Sequence, residues 1–176
     1  IGETLHTGIG QGYFLTTPLQ LCLMTAQLAN GGYQLKPRLV IKEDQRLKMN
    51  DFTFGRGRNE LKPLFRNQEN INFVKDAMFA SSNEPGGTSY GSRLKEKRFM
   101  FAGKTGSSQI KRFTQEQREA EVKQQDLDFL SRDHALFIAF APYDDPKYAI
   151  SVLVEHGGSG SSAAAPIAKK IIKKVL

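Results

Sequence analysis

The residues of this chain best suited to chemistry are Lys104, Thr105, Gly106 and Ser107, four in a row. They follow the apolar run Phe99-Met100-Phe101-Ala102. Arg98 to Lys104 therefore reads as a strand, with the cation and the hydroxyls coming off its end. A lysine, two hydroxyls and bare backbone at a strand edge suit one task well: gripping a peptide carboxylate while an acyl group is transferred. The other half of that chemistry is a serine nucleophile with a base fixed beside it. No convincing pair of that kind stands elsewhere in the chain, so the tetrad reads as half of an active site.

Other chemistries fit poorly. Gly103-Lys104-Thr105 could end a phosphate-binding loop, but that loop needs a glycine five positions before Gly103, where Arg98 stands. His6, His134 and His156 are far apart in sequence, lack metal-ligand spacing, and read as structural. Gly158-Ser159-Gly160-Ser161 lacks the spacing of a nucleophile elbow. The single Cys22 excludes an internal disulfide and a cysteine-based metal cluster; it lies in an apolar helix and reads as a small core residue. No metal or other cofactor is expected.

The 176 residues amount to about one domain. No apolar run reaches the ~18 residues of a membrane span. There is no signal peptide, and the first residue is Ile1, which suggests a chain cut or processed from something longer. The net charge of +7 is partly the stretch from Lys36 to Arg66, with nine basic and four acidic residues, and partly Lys169, Lys170, Lys173 and Lys174. Charge alone favours a nucleic-acid surface, but no aromatic residues interleave with the tail lysines, so no nucleic-acid partner is expected.

Several elements must position the tetrad. Thr17, Pro18 and Gln20 form a helix start with a capping box; the helix runs to about Asn30 and stops at Gly31-Gly32. Leu19, Leu21, Leu23, Met24, Ala26, Leu28 and Ala29 cover most of its circumference, which predicts burial all round. Leu39-Val40-Ile41 and Phe52-Thr53-Phe54 read as short strands. A second helix spans roughly 68–80, with Ile71, Val74 and Met78 on one face, and Pro85-Gly86-Gly87 breaks the chain after it. Ala135–Ala141 and Tyr148–Val154 form a hairpin across Pro142-Tyr143-Asp144-Asp145-Pro146-Lys147. A C-terminal helix carries Ile167, Ile171 and Val175 along one face, with Ile172 beside them. Residues 111–133 are dense in charge of both signs and read as an exposed, mobile insertion, with a possible short helix capped by Thr114 and Gln117. This order gives an α+β fold: an antiparallel sheet packed against helices.

The run Ala102-Gly103-Lys104-Thr105-Gly106-Ser107-Ser108-Gln109 resembles the third active-site motif of penicillin-binding proteins. Gly8-Ile9-Gly10-Gln11-Gly12-Tyr13 with Thr17-Pro18-Leu19-Gln20 resembles the segment before a core helix in the class B members. Pro85-Gly86-Gly87-Thr88, Arg132-Asp133-His134, Ala139-Phe140-Ala141-Pro142-Tyr143 and Glu155-His156-Gly157-Gly158 resemble the elongation-type branch of that class. These blocks run in the family's order from Gly8 to Leu176. Lys-Thr-Gly alone is a weak signal; the ensemble is strong.

The resemblance implies the C-terminal part of a β-lactamase/transpeptidase-like domain. The parent would be a D,D-transpeptidase that cross-links peptidoglycan stem peptides and is acylated by β-lactams. It would be anchored in the bacterial inner membrane by a segment outside this chain, with this part in the periplasm among proteins of the cell-elongation machinery. Lys104 would act in catalysis, Thr105, Gly106 and Ser107 would bind substrate, and the Ser107 N–H would be one oxyanion donor. The nucleophile would lie upstream. The literal matches Ser92-Arg93-Leu94-Lys95 and Ser81-Ser82-Asn83 stand in the wrong order, and Gly91-Ser92 sits in a loop. A non-catalytic penicillin-sensing or β-lactamase-like domain is the alternative. Sheet edge and helix surface left bare by the missing part would favour a homodimer of this chain.

Overall fold

A computed structural model describes residues 2–8, 10, 12, 15–37, 62–110 and 123–176. The strands expected at Leu39-Val40-Ile41 and Phe52-Thr53-Phe54, and the cap at Thr114 and Gln117, lie outside the described residues.

A short helix α1 (Gly2–Gly8) precedes α2 (Pro18–Ala29). The α2 capping box is present: Gln20 N donates to Thr17 Oγ1 at 3.2 Å, and Thr17 N donates to Gln20 Oε1 at 2.8 Å. The helix ends where Gly31 and Gly32 take φ of +93° and +86°, a conformation only glycine adopts without strain. Helix α3 (Gln68–Asn83) starts under Asn67, whose side chain accepts from Glu69 N at 2.9 Å. It extends past the expected end at about residue 80, so Ser81, Ser82 and Asn83 form its last turn.

Three antiparallel strands follow in spatial order: β1 (Ala102–Ser108), β2 (His134–Ala141) and β3 (Tyr148–Val154). The hairpin of β2 and β3 is where the sequence places it. A π-type turn, Gly160–Ala164, leads into α4 (Ala165–Val175).

The sheet buries both faces. On one, Phe101, Ala135, Phe137, Ala139 and Val152 pack on Ala164, Ala165, Ala168 and Ile172 of the C-terminal segment. On the other, Ala102 and Phe140 pack on Leu28 and Ala29 of α2 and Ile71 and Met78 of α3. The result is helices on either side of an antiparallel sheet, an α+β arrangement.

Four expectations change. Arg98 is not in a strand: Lys97–Phe99 is a 3₁₀ turn closed by Phe99 N donating to Glu96 O at 2.9 Å. Its charged residues stay in water, with Arg98 paired to Glu96 at 3.1 Å. The strand begins at Ala102, so Lys104 to Ser107 lie within it rather than at its end. Helix α2 is not buried all round, since Leu19 is 59% exposed and Met24 40%. In α4 the face against the sheet is Ala165, Ala168 and Ile172, while Ile167, Ile171 and Val175 are 41–45% exposed. Two alanines let the helix axis approach the sheet, and the larger side chains stand off on its flank.

Residues 124–126 and 129–131 form 3₁₀ turns. The Asp133 carboxylate accepts from Ile110 N at 3.2 Å and Gln124 Nε2 at 2.9 Å, while Asp133 N donates to Gln124 Oε1 at 2.8 Å.

Candidate functional site

Strand β1 lies at the edge of the sheet among the described residues, paired only to β2. In an antiparallel pair, alternate residues exchange both backbone hydrogen bonds with the partner, and those between point both groups the other way. The outward carbonyls of β1, and of Phe101 just before it, identify themselves by their partners. Phe101 O accepts from Asn83 Nδ2 at 2.9 Å, Gly103 O from Ser82 Oγ at 3.5 Å, and Thr105 O from Lys104 Nζ at 2.7 Å. The same alternation turns the Ser107 N–H and C=O away from β2. Lys104 and Gly106, opposite Ile138 and Leu136, belong to the hydrogen-bonded set.

The tetrad therefore presents three kinds of group along one edge. Lys104 is exposed and, among the described residues, meets no carboxylate within ion-pair distance. Its ammonium rests on the carbonyl next in the chain. Thr105 is half-buried and its hydroxyl donates to Thr88 Oγ1 at 3.0 Å. Ser107 is exposed, two residues on and so on the same face as Thr105. Gly106 between them leaves the backbone bare, so an extended chain can lie along the edge and pair with its outward groups.

Glycines shape the strand from behind. A Cβ on Gly103 would lie 2.4 Å from the Phe137 ring and 2.9 Å from Ile138 O. Gly160, ahead of α4, presses on the strand so closely that a Cβ there would meet Leu136 O at 2.3 Å and Gly106 O at 2.7 Å. Gly87 folds the loop after α3 back over the helix end, where a Cβ would meet Ser81 O at 2.3 Å. That fold brings Thr88 to Thr105.

The remaining candidates fall elsewhere. Ser92 is buried in a 3₁₀ turn at 5% exposure, whereas Lys95 is exposed; Ser-x-x-Lys chemistry needs both on one helix. Ser81, Ser82 and Asn83 serve the end of α3, where Ser82 Oγ lies 3.0 Å from Ser89 Oγ and Asn83 reaches β1. His134 and His156 come together, with ring centroids 4.9 Å apart. The contact is structural: His156 N donates to His134 Nδ1 at 3.0 Å and His156 has φ of +54°. Among the described residues no three His, Cys, Asp or Glu side chains converge as a metal site would require. Burial pushes the half-buried Cys22 thiol above its usual range, which disfavours the reactive thiolate.

Sequence reasoning did not identify Thr88 as a neighbour of the tetrad. The two threonines are 17 residues apart, and only the fold of the Pro85–Gly87 loop joins them.

The family model of the penicillin binding protein transpeptidase domain matches residues 2–173. The chain is 31% identical over 175 residues to peptidoglycan D,D-transpeptidase MrdA of Salmonella typhimurium, covering 97% of this chain and 26% of that protein. Against MrdA of Acinetobacter baumannii it is 36% identical over 165 residues, covering 93% and 23%. Among solved structures, the complex between PBP2 and MreC from Helicobacter pylori matches with a TM-score of 0.73 at 31% identity, over 99% of this chain and 27% of that one. PBP2 of Pseudomonas aeruginosa, in complex with WCK 5153, matches with a TM-score of 0.68 at 30% identity, over 99% and 32%. The chain thus spans about a quarter of the length of the curated relatives it matches.

Proposed function

Because this chain belongs to the penicillin-binding-protein transpeptidase family, we propose that it is the carboxylate-binding part of a peptidoglycan D,D-transpeptidase of the elongation type. The observation that carries the reading is the open edge of β1, where Lys104, Thr105 and Ser107 surround a bare Gly106. Likeness to the MrdA proteins and to PBP2 structures supports the elongation type.

The mechanism follows from which groups the edge offers. A serine from a part of the protein outside this chain attacks the penultimate D-alanine carbonyl and expels the terminal D-alanine. An amine of a neighbouring stem peptide then takes the acyl group. The donor peptide lies extended along β1. Thr105 and Ser107 hydroxyls hold its terminal carboxylate, or that of a β-lactam. The Ser107 N–H serves as one oxyanion donor, and the nucleophile's own N–H is the other. Loss of one such donor typically raises a barrier by about 2.7–4 kcal/mol. Lys104 supplies positive potential and joins the proton network of the serine, for which its ammonium must leave the Thr105 carbonyl. No cofactor is needed. On its own the chain has no turnover.

In the whole protein this part sits in the periplasm, with its anchor in the inner membrane; among the described residues no helix is long and apolar enough to cross a membrane. A partner in the elongation machinery is supported by the neighbour solved with MreC.

The test is labelling with a fluorescent penicillin read by intact-protein mass spectrometry, on this chain and on one extended upstream. Acylation of the longer chain alone is the expected result. A label on Ser81 or Ser92 of the short chain would mean a complete and different site. Labelling of neither removes the activity and leaves the fold.

A further inference from the structure

The hydroxyl of Thr105 does not stand alone. It donates to Thr88 Oγ1 at 3.0 Å, and Thr88 Oγ1 lies 3.2 Å from Ser81 Oγ in the last turn of α3. We propose that Thr88 is a positioning residue for carboxylate binding: with Ser81 it forms a chain of hydroxyls behind Thr105 whose direction reverses when an anion arrives. This rests on the reading of Thr105 given above and adds to it the group that sets its donor.

The argument is one of donors and acceptors. A hydroxyl has one hydrogen to give and two lone pairs to receive with. In the free molecule the Thr105 hydrogen is spent on Thr88, and the Thr88 hydrogen is then free for Ser81. A carboxylate is an acceptor only. To bind one, Thr105 must turn its hydrogen outward, which strips Thr88 of the bond it received. At the same separation Thr88 can turn its own hydrogen to Thr105, and Ser81 can donate to Thr88. The order Thr105 to Thr88 to Ser81 becomes Ser81 to Thr88 to Thr105 to carboxylate, with no heavy atom moved. Hydrogen bonds running in one direction polarise each other, so the Thr105 donor is stronger for having Thr88 behind it.

The loop that carries Thr88 is fixed by contacts that do not involve the Thr88 side chain. Ser89 N and Ser89 Oγ both donate to Ser81 O at 3.1 Å. Ser82, fully buried, lies 3.0 Å from Ser89 Oγ. Gly87 admits no side chain. Thr88 itself is exposed and holds up no core. Its side chain is thus held in place without being needed for folding.

The experiment measures second-order acylation of the full-length protein by a penicillin and by its neutral methyl ester. The variants are Thr88→Val, Thr88→Ser, Thr105→Val and the double Thr88→Val/Thr105→Val. Thr88→Val should slow the carboxylate-bearing penicillin about 5- to 10-fold, within the range for the net contribution of one hydrogen bond between neutral groups. It should leave the ester within twofold and the melting temperature unchanged. Thr88→Ser should restore the rate, and in the Thr105→Val background Thr88→Val should add less than twofold. Equal loss with both ligands, or effects of the two substitutions that multiply, would overturn the role assigned to Thr88. If Thr105→Val itself acylates normally, the carboxylate reading of the tetrad fails first, and the role of Thr88 falls with it. Ser81→Ala, which keeps Thr88 in place, should slow acylation less than Thr88→Val does; a larger loss also counts against the chain.

Discussion

Gly160 lies against Gly106 so closely that a Cβ on Gly160 would come within 2.7 Å of the Gly106 carbonyl oxygen and 3.0 Å of its nitrogen. The third contact, Leu136 O at 2.3 Å, is backbone as well. None of these atoms can turn aside as a side chain would. Gly160→Ala must therefore push β1 and β2 or the turn that opens α4. Overpacking of this kind typically costs about 1–3 kcal/mol. Because the displaced strand segment is the bare part of the tetrad, acylation of the full-length protein should fall by more than the loss in Tm explains. A variant with reduced Tm but normal acylation would show that the strand edge tolerates the shift.

Asn83 ties the end of α3 to the start of β1 by giving both amide hydrogens, to Phe79 O at 3.0 Å and Phe101 O at 2.9 Å. The Phe101 carbonyl is one of those turned away from β2, and Phe101 itself is fully buried. Asn83→Ala should leave that carbonyl without its partner and cost about 1–3 kcal/mol in denaturant unfolding. Asn83→Asp, which cannot donate at neutral pH, should be at least as damaging. Wild-type stability in both would mean that water replaces the amide without loss.

How far these contacts are legible in the sequence depends on how local their causes are. The capping box of α2, the glycine stop after it and the β2–β3 turn are written in adjacent residues, and the structure has them in place. The tetrad is legible as chemistry, but its register is not: the apolar run before Lys104 reads as strand, whereas Glu96 to Phe99 closes a turn. The packed face of α4 is hidden for a different reason. Hydropathy favours Ile167, Ile171 and Val175, and it is the small Ala165 and Ala168 that fit the sheet. Thr88, Ser82 and Asn83 meet the β1 segment only through the tertiary fold, and no spacing rule on one sequence connects them.

Tyr143, in the turn between β2 and β3, donates to Asp76 of α3 and lies 4.4 Å, centroid to centroid, from Phe79. Burial first, and then the Asp76 hydrogen bond and the charges of Asp76 and Asp144, push its phenol from 10.0 up to about 12. The folded state thus keeps a proton that the unfolded state releases. Its contribution is whole below pH 10.0 and is lost as the pH rises through about 12. The pair is near solvent, so the contribution is held to about 1 kcal/mol or less. Alkaline titration of phenolate absorbance should show Tyr143 ionising late in the native chain. Asp76→Asn should bring it back toward the ordinary range, and Tyr143→Phe should remove it. An unchanged late titration in Asp76→Asn would assign the shift to burial and the Asp144 charge, without Asp76.

The two sides of α4 predict opposite responses. Ile172 is 2% exposed and sits in the cluster with Phe101 and Phe137. Ile172→Ala should cost about 2–5 kcal/mol, as large-to-small changes in a packed core do. Ile167 and Ile171, 41% and 42% exposed, should cost under about 1 kcal/mol each as alanines in the isolated chain, because surface changes seldom cost more. Together with Val175 they form an apolar stripe, and among the described residues the outer edge of β3 is unpaired. Such surface promotes association. Sedimentation of the isolated chain should therefore show concentration-dependent dimers, weakened by Ile167→Ser/Ile171→Ser, with Tm little changed at low concentration. In the full-length protein the same double change should instead lower Tm if the stripe is covered there. A monomeric isolated chain at high concentration, with no dye-binding apolar surface, would show that neither the stripe nor the strand edge drives self-association.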